Sequence, residues 1–435
     1  MPKRKKGEER IECYICSGII SSPCNDYWRE MRKLCVLELL SAKRVQSFVP
    51  LREEETWNLV EKITNDLLEQ PQGHYSPPIN LSGMIFSTVT NIAARAAFGK
   101  RCKHEQEFTS LINEISKLAA GFDVLDLFPS LEFLHHLSRK KSALEIIHQK
   151  MDKIFDEIIN EHKLVMKRKG STILAETTSF PTISSEDSKD QLQQEDQDLV
   201  DVLLQLQESG DLNFQLTTNH VKAVTLDMYS AETETSATTI EWAMSELLKN
   251  PRVMEKAQFE VRQLLAGKRK IQEADIKKLD YLKLVIRETL RLHPPLALIP
   301  RQANEKCRVS GYDIPIGAKV LVNAWAIGRD PKHWGADADC FRPERFQGSS
   351  IDFRGANFEL LPFGAGKRMC PGISFGIAVI ELALSQLLYF FNWKLPNGTN
   401  PQDLDMTESE GLASRRRNEL KVTAVHSFLP ITTTV

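Results

Sequence analysis

The sequence predicts a mainly α-helical protein with small β-sheets. Apolar residues recur at three- and four-residue steps through most of the chain, which places them on one face of a helix. An example is the series Leu144, Ile147, Met151, Ile154 and Ile158. Strand patterns are few and short, and they lie between glycine and proline turns at Arg308 to Ile314, Lys319 to Asn323, and Leu420 to Phe428.

The helical patterns follow one another along the chain. They begin near Glu54, Leu81, Val253 and Tyr281, with a shorter one from Asp198 to Glu208 and the longest over about 216–250. An apolar stretch from Gly376 to Phe391 is interrupted by Glu381, Ser385 and Gln386. Because a membrane span needs about 20 uninterrupted apolar residues, this stretch predicts a buried core helix.

Composition is typical of a soluble globular chain. The 435 residues are 42% hydrophobic and 26% charged, with a formal net charge of -2, so no overall charge favours nucleic acid or an anionic membrane. The length permits one large domain or two. Eight scattered cysteines favour reduced thiols in a cytosol-facing compartment.

Two segments have no helical pattern. Residues 1–20 begin with MPKRKKGEER, a basic run compatible with a nuclear address, a membrane contact or, as we expect, a disordered tip. Cys13 and Cys16 have the spacing of half a zinc site, but no second pair follows, so zinc is not expected. The polar, acidic residues 170–197 predict a flexible surface connection.

The stretch LPFGAGKRMCPGISFG contains a single cysteine, Cys370. A phosphate-binding loop is excluded because Arg368 stands where Ser or Thr is needed, and a dinucleotide fingerprint is excluded because Met369 replaces its third glycine. Cys370 instead precedes an apolar helix, and the positive end of a helix dipole stabilises a thiolate. The pattern therefore indicates a cysteine that binds a metal, with a simple buried cysteine as the alternative.

The surroundings of Cys370 suit a flat, acidic ligand. Gly364, Gly366 and Gly372 let the backbone pass close beneath such a ligand, and Arg368 is near enough to contact an acidic group on its edge. Haem has this shape and carries two propionates. Haem is therefore the predicted ligand.

The longest helix contains DMYSAETETSATTIEWAM, an unusual density of hydroxyls and carboxylates. Asp227, Ala231 and Thr235 lie four residues apart and share a face. The Glu234–Thr235 pair suits proton delivery to an iron-bound oxygen. From these residues alone, a purely structural role is favoured over proton delivery: the hydroxyls bond to the preceding turn and the carboxylates face water.

Glu288 and Arg291 lie three residues apart on one predicted helix and therefore share a face. Such a pair is usually a surface ion pair of little energetic value. If it is buried, it anchors the loop beneath a cofactor, and Arg345 in Pro-Glu-Arg-Phe completes a charged triad.

Together these stretches resemble the cytochrome P450 family. Phe363, Gly366, Arg368, Cys370 and Gly372 match its pattern FxxGxRxCxG, and Glu288 with Arg291 matches ExxR. Further matches are Arg345 as the meander arginine, Ala231 to Ser236 as most of the oxygen-activation motif, and Trp28 with Arg32 as WxxxR. The resemblance covers about residues 21–435. The amino-acid sequence of the matching stretches is similar to that of plant microsomal hydroxylases of terpenoids and alkaloids.

The resemblance implies the cytochrome P450 fold, with haem b between the long central helix and the helix after Cys370. It implies Cys370 as the iron ligand and NADPH electrons arriving through a reductase that docks at Arg29, Lys33 and Lys367. It further implies a monomer on the cytoplasmic face of the endoplasmic reticulum. The implied propionate and haem contacts are Trp28, Arg32, Arg301, Arg368, Phe363, Gly364, Gly366, Gly372 and Ala231; the proton-delivery residues are Asp227, Glu234 and Thr235; and the substrate contacts are Leu296, Ala297, Leu298, Ile299 and Leu412.

The sequence departs from the family pattern in three places. Members begin with an anchor and further N-terminal elements, whereas this chain enters the pattern only near Ser21, which suggests an N-terminally truncated member. Glu232 replaces the glycine that lets the central helix open locally, so we expect impaired oxygen activation. Glu410 makes the pocket more polar than usual. Two functions follow: a monooxygenase of hydrophobic metabolites, or a non-catalytic haem-binding remnant.

Overall fold

A computed structural model describes residues 17–69, 78–99, 107–108, 110–112, 114, 139–176, 197–210, 212–409, 411 and 413–427, with backbone only at 139–142 and 169–176. These residues are mostly helical, which confirms the predicted mainly α class. Cys13, Cys16, residues 177–196, Glu410 and Leu412 lie outside the described residues.

The helices are numbered in chain order. They are α1 (Asp26–Leu34), α2 (Ala42–Ser47), α3 (Val49–Leu68), α4 (Leu81–Phe98), α5 (Arg139–Glu176), α6 (Leu199–Ser209), α7 (Thr218–Lys249), α8 (Pro251–Leu264), α9 (Asp280–Leu292), α10 (Ala324–Ile327), α11 (Pro331–Trp334) and α12 (Ile373–Phe390). The predicted long helix over about 216–250 is α7. Helix α5 continues through residues 170–176, where the sequence had predicted a flexible connection.

Within the part of the chain that the structure describes, seven short strands form antiparallel sheets. They are β1 (Ile79–Asn80), β2 (Leu298–Gln302), β3 (Cys307–Val309), β4 (Tyr312–Ile314), β5 (Lys319–Asn323), β6 (Phe391–Lys394) and β7 (Lys421–His426). Their order is β1-β7-β6 in one sheet, with β2-β5 and β3-β4 as separate pairs. The three predicted strand regions correspond to β3-β4, β5 and β7. Strand β2 is largely exposed and lacks apolar–polar alternation, which is why its sequence did not predict it.

The chain folds as two compact units. The first contains Met1–Ser47 and Ala93–Ala231, and the second contains Phe48–Ile92 and Glu232–Val435. An aromatic cluster packs the first unit: the Phe108 ring lies 5.3 Å from that of Phe155 and 4.9 Å from that of Tyr229. Edge-to-face aromatic contacts of this kind add to the stabilisation from burial itself.

Residues 17–20 pack within the first unit. The Ile19 carbonyl accepts a hydrogen bond from the Trp28 indole at 3.0 Å, and the Ile20 N–H donates to Asp227 Oδ2 at 3.0 Å. A side chain at Gly18 would overlap the Asp227 carboxylate, so the close approach requires glycine. The predicted disorder of residues 1–20 therefore does not hold for this part.

Helix α12 forms the core of the second unit. It is the one helix of the described chain that is long and apolar enough to cross a membrane, and 67% of it is buried inside the protein. A Cβ at Gly376 would lie 3.4 Å from Ser236 Oγ, so α12 and α7 approach closely there. Burial of this extent agrees with the predicted core helix.

A buried His–Asp pair joins α5 to the start of α6. His162 Nε2 lies 2.8 Å from Asp198 Oδ2, and its Nδ1 donates to the Ile158 carbonyl at 2.8 Å. Asp198 Oδ1 also accepts from the Asp201 N–H and caps α6. Burial alone would lower the His162 pKa, but the hydrogen bond and charge of Asp198 outweigh burial and raise the pKa to about 9.

This pair should make stability decline at alkaline pH. A raised histidine pKa contributes stability that is complete below about pH 6.5 and is lost as pH rises through about 9. We expect the free energy of unfolding to fall by about 1–3 kcal/mol over this interval. Urea unfolding across the pH range should show this decline flattened in His162→Gln but retained when exposed His333 is changed to Gln; equal profiles in all three proteins would contradict the assignment.

Candidate active site

Cys370 lies between a 3₁₀ turn, Gly366–Arg368, and the first residue of α12. Its N–H donates to the Phe363 carbonyl at 2.9 Å, and Gly364 and Gly366 both have φ of 67°, a left-handed conformation that favours glycine. A Cβ at Gly372 would lie 3.9 Å from the Cys370 sulfur, in ordinary contact. The loop thus holds a half-buried thiol before the N-terminus of α12, where helix dipoles stabilise a thiolate.

Arg301 reaches the cysteine loop from strand β2. A Cβ at Gly364 would lie 3.3 Å from Arg301 Nη2, and Nη1 donates to the Pro300 carbonyl at 2.8 Å. Burial is the one cause of a lowered pKa at this half-buried guanidinium, and among the described residues no carboxylate pairs with it. A desolvated cation without an anion, next to a glycine-lined thiol, fits a flat ligand with acidic edges such as haem.

Other predicted haem contacts lie in the cysteine loop and on α1. Arg368 and Phe363 are half-buried in the cysteine loop, and the Phe363 ring packs edge-on against Phe353 at 5.3 Å. Trp28 and Arg32 lie on α1 in the first unit, with the guanidinium 5.6 Å from the indole ring. The Trp28 indole N–H is already donated to Ile19. Their roles toward propionates stay predictions.

Glu288, Arg291 and Arg345 form a buried charged cluster in the second unit. Arg291 binds Glu288 through two hydrogen bonds of 2.8 and 2.7 Å, and both side chains are 0% exposed. Arg345 Nε donates to Glu288 at 2.8 Å. The arginines also donate to backbone carbonyls between Gly328 and Cys340, so the cluster ties α9 to that segment.

The proton-delivery candidates lie on α7. Glu234 is bound to Arg415 at 2.7 Å, and the Arg415 guanidinium covers the Phe86 ring at 4.3 Å. Thr235 is half-buried, and its carbonyl accepts from the Thr239 hydroxyl at 2.9 Å. Back-bonding of this kind is the alternative weighed from the sequence, here at Thr239.

Asp227 and Ala231 precede that pair on the same helix, in the first unit. Asp227 is buried, its carboxylate accepts from Ile20, and burial raises its pKa to about 7. Ala231 is exposed. The catalytic role of Asp227 and the haem contact of Ala231 stay predictions.

Glu232 places a carboxyl group inside the protein. Its Oε1 is fully enclosed and has no hydrogen-bond partner, and α7 continues through this position as an uninterrupted helix. Burial raises the pKa of Glu232 to about 8, opposed by the charge of Arg52. Arg52 itself is bound to Glu273 and lies 5.0 Å from the Phe375 ring, five residues after Cys370.

Several of these partners could not be predicted from the sequence. Arg415 and Arg52 are far in sequence from Glu234 and Glu232, and no fixed spacing connects such pairs. The run Arg415-Arg416-Arg417 was the one available signal for a cationic segment near the site.

Of the predicted substrate contacts, four follow α9. Leu296 and Ala297 are half-buried, Leu298 is 38% exposed and Ile299 is 6% exposed. The Ala297 carbonyl accepts from the Trp325 N–H at 3.3 Å. Leu412 lies outside the described residues, but its neighbours Ala413 and Ser414 are buried.

A family model of cytochrome P450 matches residues 2–422, almost the whole chain. The chain belongs to the cytochrome P450 family. This P450 is therefore an oxidoreductase of a family that binds haem, activates oxygen, uses a redox partner and acts on small molecules. The match begins at residue 2, earlier than the motifs near Ser21 on which the resemblance was based.

Several plant enzymes are similar to this P450 over most of its length. Melianol synthase of Citrus sinensis is 55% identical over 415 residues, covering 95% of this chain and 76% of the relative. Desmethyl-deoxy-podophyllotoxin synthase of Sinopodophyllum hexandrum is 50% identical, covering 97% and 78%. Germacrene A hydroxylase of Barnadesia spinosa is 50% identical, covering 96% and 77%.

Proposed function

We propose that this P450 is a haem-thiolate monooxygenase that hydroxylates or epoxidises a small hydrophobic plant metabolite of the terpenoid or alkaloid class. The observation that carries the proposal is the glycine-lined loop of Cys370, which Arg301 approaches at Gly364 with no carboxylate partner among the described residues. The terpenoid class is supported by two relatives, which are named for melianol and germacrene A.

The residues of the loop hold the cofactor. Cys370 would supply the thiolate to the iron, and Arg301 and Arg368 would bind the propionates. The family resemblance assigns the same propionate-binding role to Trp28 and Arg32. Phe363, Gly364, Gly366, Gly372 and Ala231 leave room for the flat ring. A bound haem would supply oxygen activation: one atom of O2 would enter a C–H or C=C bond, and the other would leave as water with two electrons and two protons, aided by the electron density of the thiolate.

Protons are delivered along α7. Thr235 donates the last hydrogen bond and Glu234 takes up protons from solvent, since the Glu234 side chain is 18% exposed. Asp227, which precedes Glu234 on α7, also takes part in proton delivery. The substrate is held by Leu296, Ala297, Leu298, Ile299 and Leu412, which are apolar and suit a hydrophobic ligand.

Electrons come from NADPH through a cytochrome P450 reductase. Lys33 and Lys367 are exposed, and Arg29 is 62% exposed although bound to Asp26, so each is accessible to an acidic partner. The enzyme acts as a monomer at the cytoplasmic face of the endoplasmic reticulum.

Reconstitution with the reductase tests this function. We expect NADPH-dependent formation of a product one oxygen atom heavier from at least one member of a panel of sesquiterpenes, triterpenes and alkaloids, and none above background with Cys370→Ser. Oxidation of a lignan alone would contradict the proposed terpenoid or alkaloid substrate class. The absence of any oxidation would contradict the proposed monooxygenase activity.

Glu232 favours a second candidate, a haem-binding protein without oxygenase activity. A glutamate in place of the motif glycine removes the backbone freedom that lets the helix open locally, and it adds a buried carboxyl group. Thiolate-ligated haem without product from any substrate is the result that this candidate predicts.

A further inference from the structure

His293, the residue after α9, is held on the face of α7. Its ring is stacked on the Trp242 indole, with centroids 4.1 Å apart and planes inclined by 5°. Its Nε2 lies 2.7 Å from Glu246 Oε1. Trp242 and Glu246 are four residues apart on α7, so one helix face binds both the ring plane and one ring nitrogen.

The other ring nitrogen faces a different segment. His293 Nδ1 lies 3.4 Å from Glu408 Oε1, without a well-aligned hydrogen bond. The same carboxylate oxygen accepts from the Trp325 indole at 3.2 Å. Each ring nitrogen of His293 therefore lies opposite a carboxylate, Nε2 at hydrogen-bond distance from Glu246 and Nδ1 at 3.4 Å from Glu408.

Glu408 belongs to a narrow turn of the chain. It bridges Arg416 in antiparallel fashion, and the Ser409 N–H donates to the Arg415 carbonyl at 2.7 Å. Burial alone would raise the Glu408 pKa, but the contacts with His293 and Trp325 and the charge of Arg329 outweigh burial and lower the pKa. The carboxylate is thus kept charged opposite His293.

Backbone hydrogen bonds connect the same residues to both predicted substrate segments. The Ser414 N–H donates to the Pro295 carbonyl at 2.9 Å, and the Ser414 carbonyl accepts from the Trp242 indole at 2.7 Å. Trp325, which binds Glu408, donates its own N–H to Ala297. Residues 295 and 297 and the described residues 408 and 414 are therefore joined to each other or to α7 near the His293 imidazole.

We propose that Glu246, His293 and Glu408 form a clip that fixes residues 295–299 and the described residues 408, 409, 411, 413 and 414 against α7 and thereby sets the shape of the substrate pocket. Its bearing on the pocket rests on the proposed function, whereas the clip itself depends only on contacts within the second unit. His293 is a positioning residue: it acts through the two segments, and its ring is occupied by Trp242, Glu246 and Glu408.

Two variants separate the charge from the packing. His293→Phe keeps an aromatic ring on Trp242 but removes both ring nitrogens, and Glu408→Gln removes one charge at a side chain that is 27% exposed. The matched control is His333→Phe, at an exposed histidine. Because Glu408→Gln disturbs the core least, it decides the outcome if His293→Phe does not fold.

The first measurement is amide hydrogen exchange at constant pH. We expect exchange of residues 295–299 and 408–414 to rise by about ten-fold or more in both variants, with α8 unchanged, because local opening loses a charged contact. The control should match the wild type.

The second measurement is the spectral titration of the haem-loaded protein with two azoles. Imidazole contacts mainly the iron, whereas clotrimazole also fills the pocket, so the clip variants should weaken clotrimazole about ten-fold and leave imidazole unchanged. This readout needs no turnover and separates failure of the clip from failure of the proposed function. Unchanged exchange, or raised exchange with an unchanged ratio of the two affinities, would overturn the proposal.

Discussion

Glu288→Gln should leave little folded protein. Glu288 is the common acceptor for Arg291, Arg345 and the Arg342 N–H, and its side chain is 0% exposed. Neutralising it leaves the buried Arg291 guanidinium without a counter-charge and leaves Arg345 with Asp337 alone, at 3.6 Å. Leaving a buried charge unpaired typically costs about 3–5 kcal/mol. Since domains are stable by only about 5–15 kcal/mol, we expect a large fall in the urea midpoint and in soluble yield.

Glu344→Gln provides the matched control for this prediction. Glu344 also contacts Arg252, Lys256 and the Tyr281 hydroxyl, and its pKa is lowered to about 2 despite the opposing effect of burial, but both cations are largely exposed. Solvent screening limits its contribution to within about 1 kcal/mol. Equal urea midpoints for the two variants would show that the cluster around Glu288 does not hold the fold.

Glu232→Gly should increase the fraction of reductant that yields product. The carboxyl group of Glu232 is buried, and its Oε1 has no hydrogen-bond partner among the described residues. Glycine removes this group and restores the conformational freedom of the α7 backbone at this position. We expect the wild type to consume NADPH largely with release of peroxide, and the glycine variant to raise the ratio of product to NADPH several-fold. The ratio is obtained by measuring NADPH, peroxide and product in one reaction.

Two further substitutions identify which property of Glu232 matters. Glu232→Ala removes the carboxyl but keeps a residue that favours helix, so its coupling should lie between those of wild type and glycine variant. Glu232→Gln keeps the size and should stay close to wild type. Tight coupling in the natural protein that is not improved by glycine would contradict the prediction.

Local signals in the sequence were sufficient for the fold class and the cysteine loop. Periodic apolar residues predicted α7 and α12, and the glycines, Arg368 and Cys370 stand within one short stretch whose chemistry can be interpreted without neighbours. Glu288 and Arg291 are three residues apart on one helix, so their pairing was also predictable.

Contacts between distant residues could not be predicted. Glu234 binds Arg415 and His293 stacks on Trp242, and such contacts depend on packing that no spacing in a single sequence encodes. Strand β2 was missed because its sequence, Leu-Ile-Pro-Arg-Gln, has no alternation of apolar and polar residues. The packing of residues 17–20 was missed because it depends on Asp227, more than two hundred residues away.

The difference spectrum of the reduced protein with carbon monoxide tests the central claim most directly. We expect a stable red-shifted Soret band characteristic of thiolate ligation in the 435-residue chain. The band should be lost in Cys370→Ser and retained in Glu232→Gly. A band typical of a different axial ligand, no haem binding, or a thiolate band that survives Cys370→Ser would contradict the assignment of Cys370 as the iron ligand.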